Sequence, residues 1–282
     1  MTKQILLVLF IAGLPALASA ETGSSTPVES STQSLSVEEA TAILVDSAQV
    51  AALSDEDLLD VVKTADPSQI ISTAEAFLAT HETYEFVVWK QERIKGNWPE
   101  KPERLLVRYR HEPQALFVRW LDGGPDAGQE ALYDKTVDEE RFKVRASGWR
   151  GVMTVNLSLD SSLARARTTH PITSLSFSTF LDYLSADMAL IPEEERRNHV
   201  ESLRIVERNG QRLVELVFVT PGPPKFYASK ALFQFDPETW VPRFVEIFEA
   251  DGTIRERFDF KSVNWAPVAE DAFDPDNPDY RL

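Results

Sequence analysis

From Thr83 onward the apolar and polar positions alternate with a period of two. The pattern predicts eleven strands, at about 83–95, 103–111, 115–121, 128–133, 141–146, 152–158, 201–208, 212–219, 226–236, 242–249 and 254–264. Not all of them have one wet face. In "YEFVVWKQERI" (84–94) the first half is apolar on both alternating faces, with Phe86 and Trp89 opposed, whereas Lys90 to Arg93 is wholly polar. Phe117 and Trp120 oppose each other in the same way, while residues 254–261 set Ile254, Phe258 and Phe260 against Arg255, Arg257, Asp259 and Lys261. A sheet that is apolar on both faces in some strands only needs a second packing partner there, and a sheet curled around a cavity provides for this.

Ahead of the strands the period is close to 3.6. "SVEEATAILVDSAQVAAL" (36–53) is Ala-rich with spaced apolar residues, "SDEDLLDVV" (54–62) opens on Ser54 as a cap, and "DPSQIISTAEAFLATH" (66–81) has Asp66 as cap and Pro67 at the first helical position. The one long interruption of the strand pattern, 161–199, carries a helical stripe of Phe177, Phe180, Leu181, Leu184 and Met188, then "IPEEERR", which reads as a second helix start. Asn209-Gly210 and Asp251-Gly252 suit two-residue hairpins, and "DGGP" (122–125) and "PGPP" (221–224) break the chain. The fold class expected is α+β: an antiparallel meander with N-terminal helices and a helical insertion whose apolar stripe covers the mouth of the curl.

Composition adds a compartment. Residues 1–20 have one Lys, an apolar core from Ile5 to Leu14 and small residues at Ala18 and Ala20, the pattern of a signal peptide cleaved after Ala20. No cysteine occurs, which excludes disulfides, thiolate metal sites and a cysteine nucleophile, and an exported chain of this kind fits a bacterial periplasm. The net charge of −16 is concentrated early, with twelve acidic residues against the single Lys63 between Glu21 and Thr83. Such a balance argues against nucleic acid and anionic lipid as partners. No later window is apolar enough for a transmembrane span. The domain reading is a signal peptide at 1–20, a Ser/Thr-rich flexible linker at 21–35, an acidic helical extension at 36–66, and the strand-rich domain at 67–282 with its lid at about 161–199.

Candidate chemistry is sparse. Arg104, Arg108 and Arg110 share a strand face and offer either a basic lining or a solvated outer face, and Glu92 is expected to pair with one of them inside the curl. His170 stands in "RTTHPIT" without a second ligand residue at metal spacing and reads first as a hydrogen-bonded structural residue. "HETYE" (81–85) lacks the second His of a zinc-protease motif, and "DPDNPD" (274–279) reads as a capped, solvated tail rather than a calcium loop. No nucleophile elbow, P-loop or dinucleotide fingerprint is present. No metal or cofactor and no enzymatic activity is therefore expected.

"KQER" (90–93), "VRYRHEPQALFVRWL" (107–121), "GQEALY" (128–133), "HPIT" (170–173) and "FDPDNPDY" (273–280) resemble the bacterial family of domain of unknown function 1571 over about residues 70–280. That resemblance implies an architecture similar to the periplasmic lipoprotein carriers, a half-barrel of eleven strands with a helical lid after the sixth. It implies no catalytic residues. The soluble carriers hold the lid with an Arg inside the barrel, for which Arg108 and Arg110 are the nearest candidates here.

The function expected is a periplasmic carrier or binding protein for an acyl chain, lipid or lipidated ligand. Its sheet wall is assigned to Trp89, Leu116, Val118 and Trp120, its lid contacts to Phe177, Phe180, Leu181 and Leu184, and its polar contacts to Glu92, Arg108 and Arg110. The alternative is an envelope interaction scaffold whose half-barrel is self-filled and whose acidic helices meet a partner protein. A third reading, a weak hydrolase, would centre on His170.

Overall fold

A computed structural model describes residues 35–148 and 153–282. The signal-peptide reading of 1–20, and all but the last residue of the 21–35 linker, lie outside the described residues. Helices α1 (Val37–Leu44), α2 (Ser47–Ala52), α3 (Asp55–Thr64) and α4 (Pro67–Ala79) come first. Each start is set by a side chain that accepts from an otherwise orphaned N–H: Ser36 with Glu39 in a capping box, then Asp46, Ser54 and Asp66. Asp46 divides the stretch expected as one helix at 36–53 into α1 and α2, because a cap side chain that starts one helix must leave helical geometry itself.

All eleven expected strands form: β1 (Thr83–Glu92), β2 (Glu103–Arg110), β3 (Ala115–Trp120), β4 (Glu130–Asp134), β5 (Arg141–Arg145), β6 (Thr154–Ser158), β7 (Val200–Arg208), β8 (Gln211–Val219), β9 (Lys230–Phe235), β10 (Pro242–Phe248) and β11 (Ile254–Asn264). The helix of the insertion, α5 (Phe177–Ala189), follows β6, and "PEEERR" enters a short 3₁₀ helix at Glu193–His199. One antiparallel sheet results, in the order β6-β5-β4-β3-β2-β1-β11-β10-β9-β8-β7, so the first and last strands join at its centre and β6 and β7 are its edges. Asn209 and Gly210, both at positive φ, make the two-residue β7–β8 hairpin. The Asp251-Gly252 turn differs from the expected two-residue form. Glu249 donates to Thr253 across a longer loop, and the register shifts between Ile247 and Phe248, so the extra residues are taken up by a bulge.

The sheet is a half-barrel. Leu157 of β6 and Phe258 of β11 border one hollow although six strand spacings separate them, roughly 29 Å in a flat sheet at about 4.8 Å per strand. On the concave side Tyr84, Phe86 and Val88 of β1 join Leu105 and Val107, Leu116 and Val118, Val214 and Leu216, and Phe258 and Phe260 in one core, which also takes in Leu44, Leu58, Val61, Ile70, Phe177 and Leu181 from the helices. The residues expected as a separate acidic extension thus share their buried positions with the sheet. Trp240 ties them in, its indole N–H donating to the Leu44 carbonyl at 3.0 Å.

The convex side of β2–β5 is covered by the C-terminal segment, where a solvated tail was expected. Tyr280 stacks on Phe117 with ring centroids 3.7 Å apart, and Phe273 and Ala272 pack on Ala115. This cover explains why strands near Phe117 are apolar on both faces.

Candidate functional site

The concave face over β8–β11 is filled by the chain's own helices, and Phe177 sits fully buried between Tyr84, Phe86 and Phe260. Over β1–β6 the filling is incomplete. A cavity of about 470 Å³ remains there, within the roughly 300–1,000 Å³ of small-molecule pockets. Leu105, Trp120, Phe142, Val144 and Leu157 form its sheet wall, and the 163–175 segment with Thr179, Phe180 and Tyr183 of α5 forms its roof. Met153 and Leu163, which also border it, are 69% and 72% exposed, so the opening has an apolar rim. A second hollow of about 210 Å³ shares Lys90, Glu92 and Glu103 with the first and runs toward Trp98 and Pro99.

One corner of the cavity is ionic. The β1–β2 register sets Lys90 opposite Glu103, and the period of two puts Glu92 on the same face, so the wholly polar half of the strand is buried on its inner side. Lys90 Nζ lies 3.0 Å from Glu92 and 3.1 Å from Glu103, and the Trp120 indole donates to Glu103 at 3.0 Å. Burial works against the lysine's charge, but Glu103 and Glu92 outweigh it and hold the ammonium above the ordinary lysine range. Burial likewise works against the Glu92 carboxylate, and Lys90 with the Thr169 hydrogen bonds lowers it nonetheless, to about 2.

The same carboxylate holds the roof. Thr168 donates its hydroxyl to Glu92 at 2.9 Å, and Thr169 donates its main-chain N–H at 2.5 Å and its hydroxyl at 2.7 Å. Next along the segment, His170 places Nε2 3.1 Å from Glu256, and the Tyr227 hydroxyl donates to Glu256 at 2.9 Å. Tyr183 stacks on Tyr227 at 4.2 Å and its hydroxyl lies 3.4 Å from His170 Nδ1. Burial and the adjacent Glu256 push the Tyr227 phenol well above its usual range, so it remains a donor. His170 thereby anchors the roof to β11 through side chains of Glu256, Tyr227 and Tyr183.

Of the residues assigned from sequence, Trp120 and Phe180 line the cavity, and Glu92 meets both the lid segment and the cavity. Glu92 pairs with Lys90 rather than with an arginine. Leu116 and Val118 share the concave face but are fully buried beneath other side chains, and Leu181 and Leu184 of α5 lie in the same packed core. Trp89 requires correction: alternation puts it on the convex face, between the Arg104 guanidinium at 4.5 Å and Lys261 at 4.4 Å. Arg108 and Arg110 are also convex. Arg108 bonds Glu85 at 2.8 Å and the Tyr280 hydroxyl at 3.0 Å, and Arg110 bonds Asp134 at 2.9 Å, so neither reaches the cavity or the lid helix. Sequence reasoning missed Lys90, Glu103, Phe142, Val144 and Tyr183. The signal for Lys90 was its place two residues before Glu92 on a strand that alternates strictly; Glu103 depends on cross-strand register, Phe142 and Val144 on which face is concave, and Tyr183 on how α5 docks on the sheet.

A family model described as a protein of unknown function (DUF1571) matches residues 81–282. No curated protein matches the chain. Among solved structures, an uncharacterised conserved protein from Thermus thermophilus is 13% identical, with 73% of this chain and 91% of that one covered and a TM-score of 0.39. A LolA superfamily protein from Nitrosomonas europaea is 13% identical over 73% of this chain and 96% of that one, with a TM-score of 0.34. The Pseudomonas aeruginosa MucA/MucB complex contains a chain that is 18% identical, with 74% of this chain covered and a TM-score of 0.40; this chain spans 60% of that one's length. Among the described residues, no helix is long and apolar enough to cross a membrane.

Proposed function

We propose that this chain, which belongs to the DUF1571 family, binds the apolar chain of a lipid or lipidated molecule between its half-barrel and the inserted 163–189 segment. The observation that carries this reading is the 470 Å³ cavity, walled by Leu105, Trp120, Phe142, Val144 and Phe180 and left unfilled in a sheet whose other half is packed with side chains. Each methylene removed from water contributes about 0.8 kcal/mol, so a long acyl chain gains on the order of 10 kcal/mol gross, close to what a bilayer offers it. Exchange between a membrane and such a cavity is nearly balanced, which is what a carrier needs. Met153 and Leu163 at the rim give the chain an apolar way in. With residues 1–20 read as a signal peptide, the setting is the periplasm.

Native mass spectrometry of protein purified without detergent tests the proposal. Bound masses in the lipid range, lost in a Phe142→Trp variant that fills the cavity while folding normally, are the expected result. Protein that carries no such mass, and that takes up no apolar probe after delipidation, overturns it.

A further inference from the structure

Resting on the reading that an apolar chain occupies the cavity, the ionic corner specifies what kind of head that chain carries. Among the described residues two cationic side chains border the cavity, Lys90 and Arg167, and both already face carboxylates. Lys90 has Glu92 at 3.0 Å and Glu103 at 3.1 Å, and Arg167 has Asp126 at 3.2 Å. Lys90 and Glu92 are 6% and 3% exposed, so the pair is a fixed part of the wall. Three carboxylates against two cations leave the described lining with an excess of negative charge, and His170 has Glu256 beside it. An anionic head placed here meets carboxylates at close range and, among the described residues, no uncommitted cation, and a buried charge without a partner is strongly disfavoured.

The wall offers acceptors instead. Glu103 takes one hydrogen bond from Trp120 and one contact from Lys90, which leaves lone pairs on a carboxylate that borders the cavity. Gln129 also borders the cavity, and its side-chain amide has no hydrogen-bond partner among the described residues. A hydroxyl or amide group can meet both, and an ammonium can donate to the Glu103 carboxylate and the Gln129 side-chain carbonyl.

We infer that the cavity takes amphiphiles whose head donates hydrogen bonds and carries no negative charge, and that it discriminates against free fatty-acid carboxylates. The experiment compares three probes of one chain length, monopalmitoylglycerol, hexadecylamine and palmitate, each competing with an uncharged apolar dye for delipidated full-length protein at neutral pH. The expected result is that the first two bind at least about tenfold tighter than palmitate, a difference of about 1.4 kcal/mol. Palmitate binding as tightly as the others overturns this inference while leaving the cavity reading intact. Failure of all three to bind overturns the cavity reading and the inference with it. Glu103→Gln, which removes a charge and keeps an acceptor for Trp120, should narrow the gap several-fold. A folded Glu103→Gln protein with an unchanged gap shows that the wall is not its source and also overturns the inference; if that variant misfolds, the comparison on the unaltered chain decides.

Discussion

Glu92 and Thr169 are 77 residues apart in the chain and joined by two hydrogen bonds, from the threonine's main-chain N–H at 2.5 Å and from its hydroxyl at 2.7 Å. This contact makes the central strand of the sheet the clasp of the lid segment. The Glu92 carboxylate is simultaneously the partner of a buried lysine, so the seating of the 168–169 segment and the ionic corner depend on one side chain.

Glu92→Gln should therefore act on both. Lys90 keeps Glu103, so the loss is smaller than for a wholly orphaned charge, about 2–3 kcal/mol against the 3–5 kcal/mol typical of removing one partner of a buried pair. Urea midpoints should show the destabilisation. Hydrogen exchange should rise most in residues 165–172.

Acid should weaken the same clasp in a defined window. Glu92 is depressed from an ordinary 4.5 to about 2, so the stability it contributes is complete above about pH 4.5 and disappears as pH falls through about 2. The linked free energy is on the order of 3 kcal/mol. Urea midpoints measured between about pH 5 and pH 2.5 should fall more steeply in the unaltered protein than in Glu92→Gln, which has no carboxylate to protonate. Parallel slopes would contradict the assignment.

Phe177 and Phe180 lie one helical turn apart and should separate stability from binding. Phe177 is fully buried against Tyr84, Phe86 and Phe260, so Phe177→Ala should cost about 3–5 kcal/mol and lower the Tm sharply. Phe180 packs on Phe258 but also faces the cavity. Phe180→Ala should cost less and move binding toward bulkier apolar chains, measured by dye displacement with probes of increasing length.

Tyr280 offers a control on the opposite face. Its ring covers Phe117 and its hydroxyl donates to the Ala272 carbonyl at 2.7 Å while accepting from Arg108. Tyr280→Ala should destabilise by about 3 kcal/mol and leave probe affinity within about twofold under conditions where the protein is folded. A large loss of affinity in folded protein would mean that the convex cover shapes the cavity after all.

The sequence alone determined the inventory and its order. Period-two alternation, turn residues and helix caps act within a few residues of one another, so eleven strands, the N-terminal helices and the insertion after the sixth strand were all legible without a partner for any of them. The face each side chain takes within its strand was legible too: Trp89 opposite Phe86, Glu92 in step with Lys90. Which of the two faces is concave was decided by tertiary structure. Alternation distinguishes two sides but cannot say which one the helices will cover, and here the usual clue of a wet side was removed by a C-terminal segment that buries Phe117 from behind. That choice moved Trp89, Arg108 and Arg110 to the outside. The cross-strand pairing of Lys90 with Glu103 then created a buried charge cluster out of residues that, taken one strand at a time, look solvent-facing.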